Sequence, residues 1–77
     1  MIVTIDLHEL TRKEAEFVLN FRLNAMDHNT REVVVIHGYH LGTKLRGYVR
    51  NVYEHPRILK KMVSANPGET ILQLRRK

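Results

Sequence analysis

Val33-Val34-Val35-Ile36-His37-Gly38-Tyr39-His40-Leu41-Gly42-Thr43-Lys44-Leu45-Arg46 is the stretch from which the fold can be read. Four β-branched residues in a row form a strand, because such side chains pack well on a pleated surface. The strand ends in His37, passes through a loop with two glycines, and opens a helix whose first turns carry Lys44 and Arg46. Strand, glycine loop and basic helix start together outline a phosphate site, since glycine lets backbone approach an anion and a helix start offers unpaired N–H groups.

The elements on either side follow from local pattern. Residues 2–7 alternate, with Val3, Ile5 and Leu7 on one face and Thr4, Asp6 and His8 on the other, which predicts a first strand. Thr11 and Glu14 make a capping box and start a helix there. Ala15, Val18, Leu19, Leu23 and Met26 give its core stripe, and Phe17 and Phe21 lie off it. Asp27, His28 and Asn29 should end it. The second strand, over residues 32–37, is apolar enough to be covered on both sides. Leu41, Leu45, Tyr48, Val49 and Val52 predict an amphipathic second helix, ended by His55-Pro56 because proline disfavours helical backbone in the residue before it. Residues 57–63 read as an edge strand with Lys60 and Lys61 exposed. Asn66-Pro67-Gly68 reads as a turn with Gly68 at positive φ, and residues 69–75 as a closing strand alternating Thr70, Leu72 and Leu74 against Ile71 and Gln73. The order is βαβαββ. Right-handed crossovers put both helices on one face, making a two-layer α/β sandwich whose other sheet face is exposed or covered by a partner.

With 77 residues the chain holds one small domain. It has no cysteine, so disulfides and thiolate zinc sites are excluded. No apolar run approaches the roughly 18 to 20 residues of a membrane span, and no signal peptide is visible, so a cytoplasmic protein without membrane contact is expected. Thirteen Lys plus Arg against eight Asp plus Glu give a net charge of +5, which makes a polyanion such as DNA or RNA the natural partner. Lys44, Arg46, Arg50, Arg57, Lys60, Lys61, Arg75, Arg76 and Lys77 all follow the glycine loop, so the second half is the expected contact surface.

Chemistry should gather where parallel strands end. Asp6 and His8 close the first strand and His37-Gly38 the second, and neighbouring strands are only about 4.8 Å apart. Asp6, His8 and His37 are therefore the candidate catalytic residues, and Gly38, Gly42, Lys44, Arg46 and Arg50 the candidate phosphate-binding ones. His40, three residues after His37, suggests zinc spacing but lacks a third ligand, so no metal site is expected. His28 and His55 read as loop and helix-end residues.

Ile5-Asp6-Leu7-His8, followed by Leu10-Thr11 and Glu14-Ala15, resembles the Leu-Asp-x-His-Gly-Leu opening of the Smr (small MutS-related) domain. Val35-Ile36-His37-Gly38 with Gly42 and Leu45-Arg46, then His55-Pro56 and Gly68-Glu69-Thr70-Ile71, resembles the rest of that pattern. The resemblance implies a mixed four-stranded sheet similar to the C-terminal domain of translation initiation factor three, with the closing strand antiparallel and inserted between the second and third. It also implies DNA or RNA binding and, in several members, nicking or endonucleolytic cleavage. Two departures stand out: Glu9 replaces the usual glycine, and His40 replaces the middle glycine of a loop that runs one residue longer.

Two mechanisms are open at this point. In a nuclease, His37 and His8 would move protons, Asp6 would orient a histidine, and Arg46 with Lys44 would meet phosphate charge. RNA cleavage by this route needs no metal, whereas DNA nicking would need an activated water and a divalent ion at Asp6. The alternatives are a non-catalytic binding module on structured nucleic acid, and a protein-interaction adaptor using the helix-free sheet face or Phe17 and Phe21.

Overall fold

The computed structural model describes residues 2–38 and 44–76. Its elements run β1 (Ile2–Asp6), α1 (Arg12–Ala25), β2 (Glu32–Ile36), α2 (Lys44–Gly47, continued by a π-helical turn over Tyr48–Val52), β3 (Ile58–Val63) and β4 (Glu69–Leu74). The βαβαββ order is the expected one. The sheet order is β1-β2-β4-β3, with β1 parallel to β2 and β4 antiparallel to both its neighbours. The last strand thus lies between the second and third, as the family resemblance implied.

Each strand divides its residues between two faces. Ile5, Val33, Val35, Leu72 and Leu74 are buried on the helix side, together with Leu7 beyond the end of β1, and the register pairs Ile5 with Val35 and Val33 with Leu72. From α1 come Ala15, Leu19 and Leu23, and from the second helix Tyr48 and Val49. Val34 and Ile36 point to the other face and are only half-buried, so β2 is central without being covered on both sides. A two-layer domain has nothing to place over that face.

Thr11 caps α1 as expected: its hydroxyl accepts from the Glu14 amide at 3.1 Å, and the Glu14 carboxylate accepts from the Thr11 amide at 2.8 Å. The other end of α1 is closed by Arg57. This buried guanidinium donates to the carbonyls of Met26 (2.9 Å), which caps α1, and of Asp27 (2.6 Å) and Thr30 (3.3 Å) in the turn that follows it. Arg57 is therefore a structural residue and no part of a contact surface.

The second helix departs from regular α geometry. The Tyr53 amide donates to the Tyr48 carbonyl at 2.7 Å, a five-residue step that widens the turn. The change of phase puts Tyr53 in the core, with its hydroxyl donating to Asn20 Oδ1 at 2.7 Å, and leaves Val52 half exposed. Lys61, expected to be exposed, reaches under this turn to the carbonyls of Tyr53 and Arg50. The helix ends at Val52, three residues before the predicted His55-Pro56 stop. On β3, a register shift between Ile58 and Lys60 leaves Leu59 out of the pairing, so that both Ile58 and Lys61 face inward.

Candidate functional site

Parallel pairing sets Asp6 beside Ile36, and the Leu7 amide extends the ladder to the Ile36 carbonyl at 2.7 Å. His8 consequently sits against Gly38: a Cβ built on Gly38 would lie 3.6 Å from the Cβ of His8. The two strand ends thus meet, as expected from adjacent parallel strands. Gly38 has φ 73°, in the left-handed region open to glycine. Gly68 does not share that conformation. Its role is different, because its carbonyl accepts from both the His37 and Gly38 amides at 2.9 and 3.0 Å and ties the start of β4 to the end of β2. Those two amides are therefore engaged within the chain and do not serve as anion donors.

Asp6 and His8 form a hydrogen-bonded pair at this edge. His8 Nδ1 donates to Asp6 Oδ1, and the His8 amide donates to the same oxygen at 3.1 Å. Both side chains are about half exposed, at 51% and 54%. The hydrogen bond and the charge of Asp6 hold His8 above the usual histidine value, and the bonds from His8 hold Asp6 below the usual carboxylate value. This leaves Nε2 facing outward, where Glu9 Oε2 lies 3.6 Å away. Glu9 has φ 69°, the one left-handed non-glycine residue among those described. The backbone thus explains why a glycine suits this place in the motif.

His37 is differently placed. It is 4% exposed, and both ring nitrogens are engaged: Nδ1 with the Gly38 carbonyl at 3.0 Å, Nε2 with the Thr70 hydroxyl at 2.8 Å. A carbonyl only accepts, so Nδ1 carries the proton, and Nε2 takes the hydroxyl proton of Thr70. Thr70 Oγ1 in turn accepts from Arg50 Nε at 2.7 Å, and Arg50 Nη2 donates to the Glu69 carbonyl at 2.9 Å. The chain of donors runs in one direction, from Arg50 through Thr70 and His37 to Gly38. Burial pushes His37 below its ordinary pKa, the Gly38 bond opposes this, and the positive charges of Arg50 and Arg46 add to it. A neutral imidazole fits every bond.

Of the candidate phosphate ligands, Lys44 is exposed and Arg46 half-buried at the start of the second helix, whereas Arg50 is committed to Thr70 and Glu69. Gly42 and His40 lie outside the described residues, as do Leu41 and Lys77. Among the described residues no group of three or more His, Asp or Glu is placed to hold a metal ion. The sequence reading missed Thr70 as a member of the site; a hydroxyl on the inward face of an otherwise apolar strand is the signal that marks it. A separate depression of about 310 Å³, lined in part by Leu23, His55, Pro56 and Arg75, lies at the opposite end of the sheet.

These features define a small α/β domain with an exposed aspartate–histidine pair where β1 and β2 end, and with Arg50 and Arg46 close enough to the neighbouring His37 to act on it. Residues 5–70 match the Smr domain, so the chain belongs to that family, which is associated with nucleic-acid binding and nicking endonuclease activity. No match was found among curated proteins or among solved structures. The family implies a nucleic-acid partner, and no helix among the described residues is long and apolar enough to cross a membrane.

Proposed function

We propose that this domain binds nucleic acid at the Asp6/His8 edge and that the pair is equipped to cleave an RNA phosphodiester there. The observation that supports this reading most is the Asp6–His8 hydrogen bond, with Nδ1 held by a carboxylate and Nε2 turned outward. That is the arrangement by which a carboxylate fixes the tautomer of a working histidine. With its pKa raised, His8 delivers a proton to the leaving 5′-oxygen in its charged form and takes the 2′-hydroxyl proton in its neutral form. Lys44 and Arg46 oppose the charge that develops on phosphorus oxygens. His37, buried and neutral, acts as a positioning residue that fixes the Gly38 backbone against which His8 rests.

The test is cleavage of labelled RNA and supercoiled DNA, with and without chelator, beside a salt titration of binding. RNA cleavage that survives chelator and is lost in His8→Ala, with binding retained, is the expected result. Undiminished cleavage in His8→Ala would remove the pair from the chemistry. Salt-steep binding with no cleavage by the wild-type chain would make this edge a binding site alone, a reading favoured by the Glu9 carboxylate beside Nε2.

A further inference from the structure

Glu9 stands in the way of the anion that the edge is proposed to receive. Its left-handed backbone, φ 69°, turns the side chain back toward His8, and its carboxylate lies 3.6 Å from Nε2, the ring nitrogen that Asp6 leaves unoccupied. His8 is thus bracketed by Asp6 on one nitrogen and Glu9 on the other. A phosphate at Nε2 therefore shares its place with an exposed negative charge. Repulsion by that charge scales with the charge of the phosphate. A phosphodiester within a strand carries one negative charge, whereas a terminal phosphomonoester carries close to two at neutral pH.

We propose that Glu9 sets the selectivity of this edge, admitting monoanionic phosphodiesters in preference to dianionic terminal phosphomonoesters. The proposal rests on the reading of the edge as a phosphate site. It makes the domain a reader of internal linkages and a poor binder of strand ends that carry a phosphomonoester. In solvent-exposed surroundings, one unit charge about 6 Å from another changes affinity by about threefold, and two unit charges by about tenfold. Removing the Glu9 charge therefore raises diester affinity by about threefold and monoester affinity by about tenfold.

The experiment follows the His8 ring resonances by NMR at low salt and about pH 7.5. The full chain is titrated with thymidylyl-thymidine, a diester lacking the 2′-hydroxyl, and with thymidine 3′-monophosphate. Glu9→Gln keeps the side-chain length and removes the charge, and Glu9→Lys reverses it. The expected result is a monoester-to-diester affinity ratio that rises about threefold in Glu9→Gln and further again in Glu9→Lys. An unchanged ratio, with both ligands still shifting His8, overturns the selectivity role and leaves the phosphate site standing. If neither ligand shifts His8 in any of the three proteins, the phosphate site falls and the selectivity role with it.

Discussion

Replacing Thr70 with valine tests the buried network directly, because the side chain keeps its shape while losing the hydroxyl on which His37 and Arg50 converge. Thr70 is fully buried, and its Oγ1 lies 2.8 Å from His37 Nε2 and 2.7 Å from Arg50 Nε. In Thr70→Val the Nε2 lone pair is left without a donor in a site closed to water, at about 1–3 kcal/mol. Arg50 loses one bond and keeps its contact with the Glu69 carbonyl, which adds about 1 kcal/mol. The sum, about 2–3 kcal/mol after a small gain from the added methyl, lowers the midpoint of a domain this size by about 10–20 °C. Thr70→Ser keeps the hydroxyl and drops one methyl group, at about 1 kcal/mol. Thermal unfolding followed by circular dichroism should therefore rank Thr above Ser above Val. If the residue served only to fill space, Val would rank above Ser, and that order would refute the network. Nitrogen-15 spectra of the imidazole supply a second check, with His37 expected as the neutral Nδ1–H tautomer in the wild type.

Glu9→Gly removes a side chain from left-handed backbone, a gain of about 1–2 kcal/mol offset by about 0.5–1 kcal/mol from the freer unfolded chain. The variant should melt a few degrees higher, and a lower midpoint would show that the His8–Glu9 contact outweighs the strain. Asp6→Asn should bring the His8 pKa back toward 6.5, read by NMR titration. Because the folded His8 pKa lies above the unfolded one and the folded Asp6 pKa below its own, the stability that the pair supplies is complete between about 4 and 6.5, is lost as pH rises through the folded His8 value, and is lost again as pH falls through the folded Asp6 value. His37 acts in the opposite sense: its folded pKa lies below 6.5, so its contribution is present above that pH and falls as the solution is acidified through the window beneath it. Unfolding midpoints of Asp6→Asn and wild type should differ most between about pH 4 and 6.5, where Asp6 is ionised and His8 charged, and converge as pH rises through the folded His8 value.

The parts of the fold that local chemistry controls could be read from the sequence. The Thr11/Glu14 box fixed the start of α1 and the alternation of Thr70, Leu72 and Leu74 fixed the inner face of β4. Strand order had no such signature, since alternation says which face a residue takes and nothing about its neighbour; the inserted position of β4 came from the family resemblance. The π-helical turn escaped notice because Val52 and Tyr53 are both apolar and either satisfies a burial pattern. Widening the turn by one residue selected Tyr53, whose hydroxyl could then reach Asn20. At the site, Asp6 and His8 were legible as neighbours on one face of a strand end. His37 was legible as a position but not as an environment, for its burial depends on Thr70 and Arg50 arriving from elements later in the chain.

The positive charges show most clearly why a count of residues differs from a surface. Arg57 is closed on the carbonyls at the end of α1, Lys61 on those at the end of the π-helical turn, and Arg50 on Thr70 and Glu69. The partners of Arg57 and Arg50 are neutral, so both still contribute to the field that draws a polyanion toward the domain, whereas Lys61 also lies 3.7 Å from the Glu54 carboxylate. None is free to move onto a phosphate without undoing a helix end or the histidine network. Attraction and contact are therefore separated on the proposed reading: the formal charge of +5 governs approach, while contact at the β1/β2 edge would fall to Lys44, Arg46 and His8. Salt dependence of the equilibrium counts contacts, whereas salt dependence of the association rate counts the whole field. A domain built this way should show the second as strongly as its charge suggests, and the first only as strongly as those few exposed side chains allow.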